Sequence, residues 1–240
     1  MTYFPDQGDD WQRTEPNAVG LDAHKLADAV SFAEASETPW PRDIEKDGRI
    51  PSLTDLEAPH WNEILGPIRP RGGPSGLIIK GGKIAAEWGE PDRPDMTFSI
   101  AKSYLSILAG LAISDGLIGS VDDPVAKTVP GELFASDHNS KIAWRHLLTQ
   151  TSEWEGTLWD KPDLVDRNRK VGPGSNNDLK GTHRDLQAPG TFWEYNDVRV
   201  NVLSLALLHV FRRPLGEVLK ERVMDPIGAS ETWRWVGYRN

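Results

Sequence analysis

The chain has 240 residues, of which 38% are hydrophobic and 26% charged; its net charge is -9 and it has no cysteine. One large or two small globular domains fit that length, and disulfides and thiolate metal sites are excluded. The acidic balance and the lack of a long basic run remove the electrostatic footprint of a nucleic-acid-binding protein. No stretch of about 18 uncharged apolar residues occurs. The first ten residues have neither the basic start nor the apolar centre of a signal peptide, so a soluble cytoplasmic protein with no membrane partner is expected.

Residues 1–70 are rich in Pro and acidic residues and are broken by one amphipathic segment, Leu21 to Glu34. They are predicted to form a leading helix and an irregular wrap, apart from a second region over 71–240. Two β-type runs around Gly81-Gly82, beginning at Gly76 and ending near Gly89, predict a hairpin. A hairpin alone is marginal in water and needs further strands or a helix to cover it.

Phe98 to Gly116 reads as a buried helix. Apolar residues fall on nearly every face from Ile100 to Ile113, Lys102 is the only charge before Asp115, and Gly116 supplies the stop. Ser99 and Lys102 stand i and i+3 in the first turn, so both side chains leave one face at the helix N-terminus. A cation at the positive end of a helix dipole, entering a dry interior, is disfavoured by both effects, which predicts a lowered pKa for Lys102. A neutral amine beside a hydroxyl is a base beside its nucleophile.

Downstream, Leu117 to Pro124 is rich in turn residues, and Trp144 to Gln150 predicts a short helix ended by Thr151-Ser152. Residues 153–190 read as a long ordered loop region of the kind that often carries function. Within it, Arg167-Asn-Arg-Lys170 reads as a solvated basic cluster, and Gly172 to Asn177, lacking the Lys of a phosphate loop, as a turn. An apolar helix is predicted from Val198 to about Val210, another from Leu215 to Val223, and a strand from Glu231 to Tyr238. The six histidines lack metal-ligand spacing, and no His-Glu-x-x-His or Gly-x-Ser-x-Gly motif competes, so neither a metal nor a cofactor is implied.

Ser99-Ile-Ala-Lys102 opening a buried helix, followed by Asp115-Gly-Leu-Ile-Gly-Ser-Val-Asp-Asp-Pro124, resembles the serine β-lactamase and penicillin-binding-protein-like hydrolases. His146-Leu-Leu-Thr-Gln-Thr-Ser152 is similar to the family's helix-then-loop segment, and Pro189-Gly-Thr-Phe-Trp-Glu-Tyr195 to the approach to its second catalytic motif. The similarity points to the class C-like branch, with its esterases, D-aminopeptidases, D-alanyl-D-alanine carboxypeptidases and 6-aminohexanoate-dimer hydrolases. The resemblance implies an α/β fold of the α+β type, β-lactamase/transpeptidase-like, with a helical cluster and an antiparallel sheet. It implies that Ser99 attacks an ester or amide carbonyl, that Lys102 accepts the serine proton and that Tyr195 shuttles protons to the leaving group. A carboxylesterase or linear-amide activity on a small molecule is favoured over antibiotic hydrolysis, and a catalytically inactive binding or scaffold module is the alternative.

Two departures from the pattern stand out. Much of the branch has Tyr-x-Asn where this chain has Tyr195-Asn-Asp197, so a carboxylate occupies the position that would contact Lys102 and substrate. It is expected either to hold Lys102 protonated or to favour a cationic substrate group. The family's third motif, Lys-Thr-Gly or a His-x-Gly variant, has no match after Asp197, so the fold is expected to lack its carboxyl-terminal strands. Tyr238-Arg-Asn240 also fits Tyr-x-Asn, but no helix follows it.

On residue type alone each of these positions has a plainer reading. Ser99 fits a simple helix N-cap with Lys102 snorkelling to the surface, and Tyr195 fits a core aromatic. Asp197 fits a cap of the following helix as well as a site residue. Glu153 and Glu155 read best as exposed loop charge. Trp154, Trp159 and Trp193 fit either an apolar acyl pocket or the core.

Overall fold

A computed structural model of the protein describes residues 3–6, 8, 10–43, 69–172 and 174–236. These fall into two compact units, one built from the described residues of 3–43, 69–96 and 222–236, the other from 97–221.

In the first unit, α1 spans Ala23–Ala35, and the carboxylate of Asp22 accepts from the amides of His24 and Lys25 at 3.0 and 3.1 Å, which satisfies two donors of the first turn. The expected hairpin is present as β1 (Gly76–Lys80) and β2 (Lys83–Trp88). Gly81 and Gly82 have φ of 61° and 80°, the two left-handed positions of a type I′ turn, whose twist matches the flanking strands. Register runs Gly76 to Trp88 and Ile78 to Ala86, then slips by one between Ile78 and Ile79, leaving Ala85 as the extra residue of a bulge. The outer edge of β2 is covered by the chain at residues 12–14. Ile84 donates to Gln12 O and accepts from the Thr14 amide, both at 2.9 Å, which meets the hairpin's need for a further partner. One expectation differs. Glu231 to Val236 forms a turn and irregular backbone rather than a strand, while Gly237 and Tyr238-Arg-Asn240 lie outside the described residues. So does much of the irregular wrap, since 44–68 are not described.

The second unit is helical. Helix α2 (Ala101–Ser114) follows a 3-10 turn at Phe98–Ile100, α3 spans Trp144–Leu148, α4 Asp197–Phe211 and α5 Leu215–Leu219. Two short antiparallel strands, β3 (Thr157–Leu158) and β4 (Lys161–Pro162), pair in the long loop region. Helix α4 packs against α2, α3 and α5, and α2 also against α5; the buried apolar residues are Leu105, Leu108, Ala109 and Ala112 of α2, Val202, Leu203, Ala206 and Leu207 of α4, Trp144 and Leu147 of α3, and Val218 and Leu219 of α5. Each large side chain among them contributes about 1.5–3 kcal/mol by leaving water. Helix α2 is not enclosed all round as its sequence predicts: Ile107 is 44% exposed, and Ile100 at its N-cap 60%. Its apolar content exceeds what its buried face uses.

Under the long loop lies a cluster of six charged side chains that hydropathy does not reveal. Arg199, buried on the first turns of α4, donates to Glu153 at 2.7 Å and to Asp163 at 3.3 Å. Arg184 forks onto Glu153 at 2.6 and 2.7 Å and reaches Glu194 at 2.8 Å, while Arg167 forks onto Asp163 at 2.8 and 3.2 Å. Three carboxylates thus balance three guanidiniums, and bidentate geometry makes such pairs strong. Glu153, expected as exposed loop charge, is fully buried, and the Arg167 end of the basic cluster is nearly so. Glu153 also adopts a left-handed φ of 50°, a conformation costing roughly 1–3 kcal/mol for a non-glycine residue, offset by its four charged and backbone donors.

Burial alone would raise the Glu153 carboxyl, but Arg184, the Gln187 amide and Arg199 bring it down to about 2 from 4.5. A depressed carboxyl stabilises the fold fully above its unfolded value and loses that contribution as pH falls through the folded one. Melting temperature is therefore expected to fall between about pH 4.5 and 2 in the unaltered protein. Glu153→Gln, which leaves two guanidiniums short of a buried partner, should cost roughly 3–5 kcal/mol near neutrality. In thermal melts across this range the gap between the two proteins should narrow toward low pH.

Candidate active site

Ser99 sits in the 3-10 turn that leads into α2, one residue after Phe98, whose φ of 44° is an unusual left-handed value for a bulky residue. It does not act as a side-chain cap: no side chain caps the start of α2, and Ile100 is its N-cap residue. The Ser99 hydroxyl points instead at two partners. Its Oγ lies 2.5 Å from Tyr195 Oη and accepts from Lys102 Nζ at 3.1 Å. The i, i+3 spacing read from the sequence is what brings Lys102 to it.

Tyr195 is held by the residues on either side. Residues 190–194 run beside the end of α3, with Gly190 N donating to Thr151 O at 2.8 Å and Glu194 N to Gln150 O at 3.1 Å. Gly190 has a left-handed φ of 91°, and a side chain there would meet His146 Nε2 at 2.8 Å, so the Pro189-Gly190 pair and the His146 segment fit each other only with glycine. His146 Nδ1 accepts from the Ala143 amide, and burial lowers its pKa, in keeping with a neutral acceptor. On one side of Tyr195 the Glu194 carboxylate enters the buried ion cluster. On the other, Asn196 caps α4 by accepting from Arg199 N at 3.2 Å and donates to Asp163 O at 2.9 Å. The phenol is therefore fixed by its neighbours' hydrogen bonds.

Because Asn196 is the cap, Asp197 is free to be the first residue of α4 and to turn its carboxylate to the lysine. Asp197 Oδ1 lies 2.9 Å from Lys102 Nζ, with the two side chains 39% and 27% exposed. That oxygen is enclosed and lacks an aligned hydrogen bond, so the contact is one of charge. Oδ2 accepts from Arg169 at 2.6 Å. Arg169 was not legible as a site residue; the sequence places it in a solvated basic cluster, yet its side chain is 84% covered and its guanidinium lies 4.9 Å from the centre of the Tyr195 ring. Lys102 Nζ is 4.8 Å from the same centre. One available signal was the spacing of Asp163 and Asp166 before Arg167 and Arg169, which sets up i, i+4 and i, i+3 pairs.

The charge state of Lys102 differs from the neutral amine expected at the helix start and follows the hold expected of Asp197. Burial does push its pKa down, but the Asp197 charge and the Tyr195 hydroxyl outweigh that and raise it above the ordinary lysine value. Asp197 is correspondingly lowered: burial opposes, and Lys102 and Arg169 prevail. The site at rest holds an ammonium, not a neutral amine. Of the tryptophans, Trp154 is core, with Nε1 donating to Leu133 O at 2.7 Å, whereas Trp159 and Trp193 are exposed. Among the described residues no group of three or more His, Asp or Glu side chains is arranged to hold a metal ion, and no helix is long and apolar enough to cross a membrane.

A family model described as Beta-lactamase matches residues 71–237, more than half of the chain, and the chain belongs to that family. Its helices and antiparallel strands are those of the α+β, β-lactamase/transpeptidase-like fold. Among solved structures it is similar to a D-stereospecific amidohydrolase from Streptomyces sp., at 24% identity over 53% of this chain and 40% of that one, TM-score 0.39. It is also similar to EstCE1, a hydrolase with promiscuous acyltransferase activity, at 22% identity over 63% of this chain and 45% of that one, TM-score 0.42. The chain spans less than half the length of each of these two structures. No curated protein sequence matches it.

Asp197→Asn removes the charge that raises Lys102, so the Lys102 pKa should fall. Because the pair is partly exposed, solvent screening keeps the drop modest. Titration of the Lys102 side chain by carbon-13 NMR at Cε checks this, and an unchanged midpoint would mean that Asp197 does not control the lysine.

Proposed function

We propose that residues 71–240 carry the nucleophile-bearing part of a serine hydrolase that cleaves a small ester or amide through an acyl-enzyme on Ser99, with residues 1–70 as an amino-terminal helix and wrap. The observation that carries this reading is the Ser99 hydroxyl within hydrogen-bond reach of both Tyr195 Oη and Lys102 Nζ, the relation a nucleophile needs to its base. Membership of the family supports the same class of chemistry.

In this scheme Ser99 Oγ forms a bond to the substrate carbonyl carbon, and its proton passes to the Lys102 and Tyr195 pair. Because Lys102 is held charged at rest, the pair must first give up one proton before it can take that of serine, so acylation speeds up as pH rises. Lys102 and Arg169, both near the Tyr195 ring, stabilise the negative charge that develops when the phenol oxygen serves as acceptor. The backbone N–H of Ser99, at a helix start where first-turn amides lack intrahelical acceptors, is the candidate donor to the tetrahedral oxyanion. Collapse breaks the carbonyl carbon's bond to the leaving oxygen or nitrogen, which takes the proton back from the pair. Water then repeats the sequence on the acyl-enzyme and frees Ser99. Asp197 orients Lys102 and, at 39% exposed, can touch a polar substrate group.

One observation favours a second reading, a catalytically inactive binding or scaffold module: the ion pair with Asp197 stabilises the protonated form of Lys102, which is no base. Intact-mass measurement after treatment with a fluorophosphonate or an activated acyl ester separates the two. The hydrolase reading expects a single adduct on Ser99 and none in Ser99→Ala, which lacks the oxygen that forms the bond. Equal labelling of both proteins, or none of either at any pH the folded protein withstands, would overturn it in favour of the binding module.

A further inference from the structure

Asp197 has two oxygens and two cations to serve, and they are divided: Oδ1 faces Lys102 at 2.9 Å and Oδ2 accepts from Arg169 at 2.6 Å. Arg169 also donates to Asp166 Oδ1 at 3.4 Å, and Asp166 in turn faces Lys180 at 3.2 Å and accepts from the Asp197 amide at 2.9 Å. Around Lys102 the described charged and titratable groups are Asp197 and Tyr195, with Arg169, Asp166 and Lys180 behind them. Three cations and two carboxylates leave one positive charge in excess beside the phenol and the ammonium.

We infer that Arg169 is a positioning residue of the acyl-transfer site: by holding one oxygen of Asp197 and standing over the Tyr195 ring, it limits how tightly Asp197 clamps Lys102 and sets the pH at which Ser99 becomes nucleophilic. The inference rests on the serine-hydrolase reading above. Removing Arg169 leaves the other four members of the cluster neutral in sum, with Lys102 as the one cationic partner of Asp197 among the described residues. Both changes stabilise the protonated ammonium and disfavour negative charge on the phenol. Whichever of Lys102 and Tyr195 takes the serine proton, loss of Arg169 therefore moves the activating ionisation in the same direction, to higher pH.

The loop course does not depend on the Arg169 side chain. Asn168, left-handed at φ 60°, is bound through its amide to Glu194 at 2.7 Å and through its side chain to Thr182 at 2.9 and 3.1 Å. Arg167 is forked onto Asp163, and the Lys170 amide donates to Asn177 at 2.9 Å. Shortening Arg169 thus changes the charge at the site with the backbone held on both sides.

The experiment compares the unaltered protein with Arg169→Ala and Arg169→Lys, by carbon-13 titration of Lys102 Cε and by the pH dependence of Ser99 acylation with an activated ester. Arg169→Ala should move the Lys102 midpoint and the ascending limb of the acylation profile to higher pH by about 1 unit, the low end for a charge in contact at a partly exposed site. Arg169→Lys, which keeps the charge and loses the fork, should recover most of that shift. A loss of activity uniform in pH with an unmoved Lys102 midpoint, or Arg169→Lys behaving as Arg169→Ala, would overturn the inference. Absence of acylation in the unaltered protein would overturn the hydrolase reading itself, while the Lys102 titration still judges the hold of Arg169 on Asp197.

Discussion

Three carboxylates and three guanidiniums, Glu153, Asp163 and Glu194 with Arg167, Arg184 and Arg199, are withdrawn from water beneath the long loop, and the position of Tyr195 follows from how they pair. Taking an ion out of water costs several kcal/mol even after relaxation, and a fork of short hydrogen bonds from every partner is needed to offset it. That requirement makes the cluster geometrically exacting. Glu194 must reach Arg184, so the backbone at Tyr195 has little freedom; Asn196 must meet both Asp163 O and the Arg199 amide, so α4 begins at one place. A purely apolar filling of the same space would tolerate a shift of the loop by a fraction of an ångström, because dispersion contacts have no direction.

The site built on this frame is governed by charge more than by reach. Distances from Ser99 to Tyr195 and Lys102 are those a proton transfer needs, but the resting protonation state is set one layer out, by Asp197. In Tyr-x-Asn relatives an amide would stand there, able to orient the lysine without raising its proton affinity. In this chain the carboxylate raises it, and the guanidinium of Arg169 on the far oxygen works against a full clamp. The same two cations frame the Tyr195 ring, so the charge that Asp197 holds on Lys102 also stands over the phenol.

Much of this arrangement was legible in the sequence, because it rests on local rules. The type I′ hairpin follows from Gly81-Gly82, the start of α2 from the apolar run after Ser99, and the Ser99 and Lys102 pairing from helical spacing. What was missed is long-range and polar. Arg169, Asp166 and Glu153 lie in a Gly- and Asn-rich stretch that lacks periodicity, where charge ordinarily means exposure. Their burial depends on partners 28 to 46 positions away, Asp197 for Arg169 and Arg199 for Glu153, and a single sequence carries no mark of such pairings. For Lys102 two expectations read from the sequence oppose each other, a lowered pKa from the dry helix start and a proton held by Asp197; burial does lower it, and the carboxylate with the Tyr195 hydroxyl prevails. Asn196 preceding Asp197 explains how the carboxylate came to be available, since the cap was already taken.

The two layers of charge differ in how they meet the surrounding electrolyte. Mobile ions screen interactions between groups they can approach and leave dry pairs nearly untouched. The Lys102 and Asp197 side chains are 27% and 39% open to solvent, whereas those of Glu153 and Arg199 are closed at 0% and 2%. Added salt therefore weakens the hold of the carboxylate on the ammonium while the frame that aims Tyr195 keeps its strength. Ionic strength becomes a control on the charge of this surface alone, and a protein of this design can meet a saline or a dilute environment with the same architecture and a differently held lysine.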